Sequence, residues 1–99
     1  KTHKEVVVDT TTSYGFVLAD RNSIVTLNNA AATTAILPAE ASIDYPIGTE
    51  ITIINLGAGV VTVSVTTDTI NQNVGGLTLA QYDKRTATKV ASATWILGN

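Results

Sequence analysis

The 99-residue sequence contains no cysteine, no methionine and a single histidine. Without cysteine there is no disulfide and no thiolate nucleophile. The histidine, His3, lies near the first residue, whereas a catalytic triad needs an imidazole held by a rigid scaffold. We therefore expect His3 to be a solvated side chain. No group of acids has the spacing of a metal-binding loop, so we expect neither a metal nor a cofactor.

Basic residues are scarce, and none occurs between Asn22 and Asp83. The net charge is −2, and a nucleic-acid-binding protein needs a basic stripe to neutralise phosphates. The pairs Lys84-Arg85 and Lys1/Lys4 are interpreted as solvated loop or terminal residues. No apolar run approaches the roughly 20 residues of a membrane span. The sequence thus predicts no nucleic-acid partner and no membrane insertion.

What the sequence has in abundance is threonine and valine, which favour extended backbone. We predict an all-β fold: a small antiparallel β-sandwich or barrel of about eight to ten short strands. Residues 1–13 are interpreted as an N-terminal lead-in with a possible first strand, and residues 14–99 as a single β-domain. The best helical candidate, residues 38–42, is too short to stand alone. The predicted strands are Glu5–Asp9, Gly15–Ala19, Ile24–Asn28, Thr33–Leu37, Glu50–Leu56, Val60–Thr66, Thr69–Asn71, Leu77–Gln81, Thr86–Ala91 and Thr94–Leu97, the last two joined as a hairpin around Ser92-Ala93.

The segment Tyr45–Val65 carries only one charge and is interpreted as a turn followed by a β-hairpin. Its reversal is assigned to Gly57-Ala58-Gly59, and because a strand rather than a helix follows, these glycines are not a phosphate-binding loop. In the first strand of this hairpin, Ile51 and Ile53 share one face while Ile54 and Leu56 share the other. Either a β-bulge shifts the phase or both faces are covered, by a second sheet or by a sister subunit.

Few residues are candidates for chemistry or binding. Most of the eight carboxylates fall in predicted turns, where they are expected to accept backbone N–H groups rather than form a catalytic pair. Phe16 and Trp95 are expected in the core. Tyr14, Tyr45 and Tyr82 are the candidate glycan contacts, because an exposed tyrosine ring can stack on a sugar and neighbouring threonine and amide groups can bind its hydroxyls.

A set of short motifs occurs along the chain in this order: Tyr14–Asp20, Ile24-Val25, Asn28-Asn29, Ala35–Pro38, Tyr45–Thr49, Ile51, Gly57–Gly59, Val61-Thr62, Ile70-Asn71, Leu79, Gln81-Tyr82, Ala87, Lys89–Ala91 and Trp95–Gly98. The ordered set resembles a small β-domain that recurs in tail fibres and other virion appendages of tailed bacteriophages. The match extends over roughly residues 14–99, although Tyr45 stands where that family usually has phenylalanine.

This resemblance implies a non-enzymatic structural or host-attachment domain on the virion surface. It also implies a homo-oligomer, with a homotrimer favoured, other virion proteins as partners, and host surface polysaccharide as a ligand. Three other hypotheses stay open. One is a carbohydrate-binding module that recognises bacterial surface glycans, another is a capsid decoration or adaptor protein, and the third is a hydrolase of surface polysaccharide, which would need a close pair of acids.

Overall fold

The computed structural model describes residues 4–72 and 76–98, and His3 lies outside these ranges. Within these two ranges, ten strands and one short 3₁₀ helix, η1, follow one another. Their bounds are β1 Val6–Asp9, β2 Ser13–Gly15, η1 Leu18–Asp20, β3 Ile24–Leu27, β4 Thr33–Leu37, β5 Glu50–Asn55, β6 Val61–Val65, β7 Thr69–Gln72, β8 Thr78–Leu79, β9 Lys84–Ala91 and β10 Thr94–Gly98.

The first six strands wind as three stacked coils of a β-solenoid, and each coil gives one strand to each of two sheets. In the first sheet, called sheet A, β1, β3 and β5 are parallel neighbours, with Val6 beside Ile24 and Ile24 beside Thr52. In the second, called sheet B, β2, β4 and β6 are parallel neighbours, with Ser13 beside Thr34. Each coil therefore advances the chain by one strand spacing, about 4.8 Å.

The last four strands extend both sheets: β8 and β9 run antiparallel to β6 and β5, whereas β10 and β7 run in the same direction as β5. Sheet A has the order β1-β3-β5-β9-β10-β7, and sheet B has the order β2-β4-β6-β8. Within residues 4–72 and 76–98, five of the eight strand pairs are parallel. The all-β fold and the number of strands are confirmed. The predicted antiparallel arrangement is wrong, because successive coils wind in the same direction and bring equivalent strands together in parallel.

The core lies between the two sheets and follows the two-residue alternation of the strands. Phe16 and Trp95 are 2% and 1% exposed, which confirms their predicted burial. The Trp95 ring packs edge-to-face on Tyr45, with 5.5 Å between ring centroids. Each fully buried valine, leucine or isoleucine side chain stabilises the fold by about 1.5–3 kcal/mol. The buried aliphatic residues are Val25, Leu27, Ala35, Leu37, Ile51, Ile53, Val61, Val63, Leu79, Ala87 and Leu97.

The turn between β5 and β6 is a corner of the solenoid and not a hairpin. β5 belongs to sheet A and β6 to sheet B, so the predicted hairpin is wrong. The glycines are needed because the preceding corner packs directly against them. A Cβ on Gly57 would overlap the backbone of Asn29, and a Cβ on Gly59 would overlap the carbonyl group of Ala31. The only hairpin confirmed as predicted joins β9 to β10 at Ser92-Ala93.

The phase of β5 does not shift. Its pairing with β3 and with β9 runs without a break, so of the two alternatives for this strand the β-bulge is excluded. The third inward position after Ile51 and Ile53 is taken by the buried Asn55, and Leu56 lies beyond the end of the strand. Residues 38–42 are not helical, in agreement with the expectation that this segment is too short to form a helix alone. The predicted strand Gly15–Ala19 is wrong, since it is the end of β2 and part of η1.

Candidate binding surfaces

The three candidate tyrosines have very different environments. Tyr82, in the turn between β8 and β9, is 73% exposed and has a left-handed backbone with φ of 69°. Tyr45 is 1% exposed, and its hydroxyl donates to the carbonyl oxygen of Val17 at 2.7 Å. Tyr14 is half-buried against Phe16. Of the three, only Tyr82 presents most of its surface to solvent, and glycan contact stays a prediction.

Tyr14 and Tyr45 instead hold η1 against the core. The hydroxyl of Tyr14 donates to Oδ2 of the buried Asp20 at 2.6 Å, and the same oxygen accepts the backbone N–H of Val17 at 3.0 Å. Burial, with the hydrogen bond and charge of Asp20, raises the pKa of Tyr14 above its ordinary value. Burial also raises the pKa of Tyr45. Both phenols therefore stay protonated at neutral pH and act as hydrogen-bond donors.

A second polar cluster surrounds Lys89, an inward-facing residue of β9 whose side chain is 2% exposed. Its ammonium group lies 2.9 Å from Oε1 of Glu40, 3.1 Å from Oδ1 of Asp44 and 2.7 Å from the carbonyl oxygen of Tyr45. An ammonium has three donors, so these three oxygens satisfy it. The cluster borders a depression of about 310 Å³ between the loop before β5 and the turn after β9.

The electrostatics of this cluster favour charged, fixed groups. The hydrogen bonds from Lys89, Ala93 and Ser92 lower the pKa of Glu40 to about 2. Burial by itself lowers the pKa of Lys89, but the hydrogen bonds and charges of Glu40 and Asp44 outweigh burial and raise it. Glycoside hydrolysis needs one carboxylic acid that stays protonated near neutral pH. The lowered pKa of Glu40 is the opposite of what such an acid needs, and a protonated Lys89 is not a nucleophile.

No protein-family model, curated protein or solved structure matches this chain. The interpretation of its surfaces therefore depends on the geometry and on the motif resemblance.

The outer face of sheet B carries one continuous row of hydroxyl groups. Ser13, Thr34, Thr62 and Thr78 are neighbours in register on the four strands of this sheet. Thr34 is partly exposed and the other three are exposed. Neighbouring strands are about 4.8 Å apart, so the row offers one hydroxyl at each strand spacing. Each hydroxyl group of this row can donate and accept hydrogen bonds.

The outer face of sheet A has a different character. A shallow groove of about 410 Å³ crosses it, lined by threonines and aliphatic side chains together with Lys4 and Glu50. The threonines Thr52, Thr86 and Thr88 stand in neighbouring positions of β5 and β9. The groove combines hydroxyl and methyl groups, with one charge of each sign at its border.

The remaining predictions about ionisable residues are partly confirmed. Four aspartates, namely Asp9, Asp20, Asp68 and Asp83, accept backbone N–H groups as predicted. Lys84-Arg85 is not a solvated loop, because both residues lie in β9 and Arg85 is 7% exposed. Over the described residues there is no group of three or more potential metal ligands. In the same part of the chain, no helix has the length and apolarity to cross a bilayer.

Sequence reasoning missed Lys89 and Asn55, the two residues around which the polar interior is arranged. The amide nitrogen of Asn55 donates to the carbonyl oxygens of Gly59 at 2.8 Å and Leu79 at 3.0 Å, and its Oδ1 accepts the N–H of Gly57. The signal was present for Asn55, since it stands in phase with Ile51 and Ile53. Lys89 similarly stands in phase with the buried Ala87.

Proposed function

We propose that this chain is a non-enzymatic structural domain of a bacteriophage tail fibre or related virion appendage, with a role in host attachment. The motif resemblance supplies the family. The proposal is supported by the ionisable cluster at Lys89, which has a structural role: its one buried cation links the loop before β5 to the β9–β10 hairpin. A rigid, cross-braced solenoid suits a part that must transmit force and present a surface.

The same bracing argues against the hydrolase hypothesis. Glu40 and Asp44 both contact the ammonium group of Lys89, where they neutralise a buried charge. A sensitive assay for release of reducing ends from bacterial surface polysaccharides tests this point. Turnover that is abolished by Glu40→Gln would refute the non-enzymatic proposal.

The proposed homotrimer is tested by size-exclusion chromatography with light scattering. We expect a mass near three times that of the 10.3 kDa chain at high protein concentration. A monomer throughout the accessible concentration range would contradict the trimer and would favour a stand-alone decoration or adaptor protein.

Glycan binding is the second candidate function, and the hydroxyl row on sheet B together with the exposed Tyr82 favours it. The row is uncharged and one hydroxyl wide, which suits a neutral polysaccharide chain lying across the strands. A sugar repeat of about 5 Å would meet successive hydroxyls at a strand spacing of about 4.8 Å. An exposed aromatic ring adds a stacking surface for a sugar.

A panel of bacterial surface polysaccharides, tested with matched variants, examines this second candidate. Thr62→Val removes one hydroxyl from the row while keeping the shape of the side chain, and Thr67→Val makes the same change outside the strands of sheet B. Tyr82→Asn removes the ring at a left-handed position that asparagine tolerates. We expect Thr62→Val and Tyr82→Asn to weaken binding several-fold and Thr67→Val to leave it unchanged. Equal binding by all four proteins would place the glycan elsewhere.

A further inference from the structure

The first strand of the solenoid, β1, forms an open edge of sheet A with unused backbone hydrogen-bonding groups. Ile24 and Asn28 donate to the carbonyl oxygens of Glu5 and Asp9, so the odd-numbered residues of β1 face β3. Backbone groups alternate sides along a strand, and the N–H and C=O groups of Val6 and Val8 therefore point away from the sheet. These two valines are also 54% and 70% exposed.

The other sheet edges are shorter or more polar. β8 has two residues, and β2 has three. β7 has four residues, but all except its half-buried Ile70 are polar. Soluble proteins usually protect an edge by shortening it or by adding charge or proline. Within β1 the sequence is Val-Val-Val-Asp, with neither lysine nor proline. The three valines of this edge carry no charge, and an exposed apolar edge is a template for another strand.

We propose that the edge of β1 binds an extended segment of a different polypeptide, in which apolar residues are flanked by basic ones. The charge at the edge supports this occupant. Glu5 and Asp9 lie on either side of the three valines. A strand that pairs with β1 would therefore place one residue opposite a carboxylate at each end of the apolar stretch. Opposite charges directly across a strand pair stabilise it, whereas like charges destabilise it.

The same charges disfavour a second copy of this chain as the occupant. In an antiparallel self-pair, Val6 would face Val8 of a second copy, and Glu5 would face Asp9 at both ends.

The proposal is independent of the virion and glycan roles, since it concerns only the chemistry of one strand edge. Its test is an NMR titration of the protein with the capped peptide Ser-Lys-Val-Thr-Val-Lys-Ser. The sequence of this peptide is a palindrome, so it presents the same charge pattern in either strand direction. We expect a dissociation constant of about 1 mM, with the largest amide shifts at Val6 and Val8. Hydrogen exchange at these two amides should slow when the peptide binds.

Three controls distinguish strand pairing at this edge from nonspecific binding of the peptide. The peptide Ser-Glu-Val-Thr-Val-Glu-Ser should bind about tenfold more weakly, because two attractive pairs become repulsive. N-methylation of both peptide valines should abolish binding. In the protein, Val8→Pro removes a backbone N–H that faces the open edge but none that faces β3, whereas Val8→Thr keeps this N–H. We therefore expect Val8→Pro to prevent binding and Val8→Thr to retain it. Circular dichroism checks that both variants are folded.

Several results would overturn the proposal. Absence of shifts at 5 to 10 times the expected dissociation constant would mean that the edge accepts no strand. Equal affinity for the lysine and glutamate peptides would refute the basic partner. Concentration-dependent shifts at Val6 and Val8 without any peptide would show that the occupant is a second copy.

Discussion

Replacing Gly59 by alanine tests whether successive corners of the solenoid stack as closely as the structure has them. The added Cβ would overlap the carbonyl group of Ala31 and lie 2.9 Å from the backbone nitrogen of Ala32. Backbone atoms cannot swing aside as a long side chain can, so the two corners must separate. Overpacking of this severity costs about 3 kcal/mol, out of a total stability of roughly 5–10 kcal/mol. The expected fall in Tm is roughly 10–20 °C.

Two other glycines provide matched controls for this substitution. A Cβ on Gly15 would meet no atom within 4 Å, and Gly15→Ala should change the free energy of unfolding by no more than about 0.5 kcal/mol. A Cβ on Gly48 would also find open space, but its φ of 96° is unfavourable for alanine. Gly48→Ala should therefore cost about 1 kcal/mol through backbone strain alone.

Urea denaturation followed by the fluorescence of the buried Trp95 measures all three variants. The expected order of destabilisation is Gly59→Ala, then Gly48→Ala, then Gly15→Ala. If the free energy of unfolding of Gly59→Ala lay within about 0.5 kcal/mol of that of the unsubstituted protein, the corners would not be stacked and the turn would be an ordinary loop. Such a result would favour the hairpin predicted from the sequence over the solenoid corner.

Three further predictions concern the polar interior. Asn55→Asp should destabilise the fold by about 3 kcal/mol in urea denaturation, since it removes two donated hydrogen bonds and directs an anion at carbonyl oxygens; a loss below 1 kcal/mol would contradict the buried network. The pKa of Glu40 is lowered to about 2, so its carboxylate stabilises the fold above about pH 4.5 and loses that effect as the pH falls toward 2. The stability difference between the protein and Glu40→Gln should accordingly shrink between pH 6 and pH 2.5, and a constant difference would refute the bracing role. Tyr14→Phe should cost about 1–2 kcal/mol by calorimetry, because Asp20 loses a hydrogen bond but keeps that of Val17; an unchanged Tm would contradict it.

The alternation of side chains was enough to predict most strands and their inward faces. In β6, for example, Val61 and Val63 are buried while Thr62 is exposed, as a half-buried strand requires. β4 is found with its predicted bounds. The alternation of apolar and polar residues indicates which face of a strand is buried, and it can be recognised from the local sequence alone.

The pairing of the strands could not be predicted in the same way. Val6 pairs with Ile24 and Ile24 pairs with Thr52, so equivalent positions are 18 and then 28 residues apart. A repeat whose length changes from coil to coil gives no fixed period for a sequence search to find. Lys89 was missed for a related reason: its partners Glu40 and Asp44 are more than forty residues away and meet it only through this pairing.

The corner at Gly57–Gly59 shows why a strand-turn-strand pattern is ambiguous. Both a hairpin and a solenoid corner place glycines between two alternating segments, but for different reasons. A hairpin uses glycine for a left-handed backbone, whereas neither Gly57 nor Gly59 has a positive φ, and both are needed for close approach of another corner. Asn55, two residues before Gly57, separates the two cases. It bonds within its own corner and to the carbonyl oxygen of Leu79, and Asp9 and Asn29 in the earlier corners make the same acceptor bond to the backbone two residues ahead. An aspartate or asparagine at or just after the end of each apolar strand, rather than the glycines, is therefore the sequence signal for this architecture.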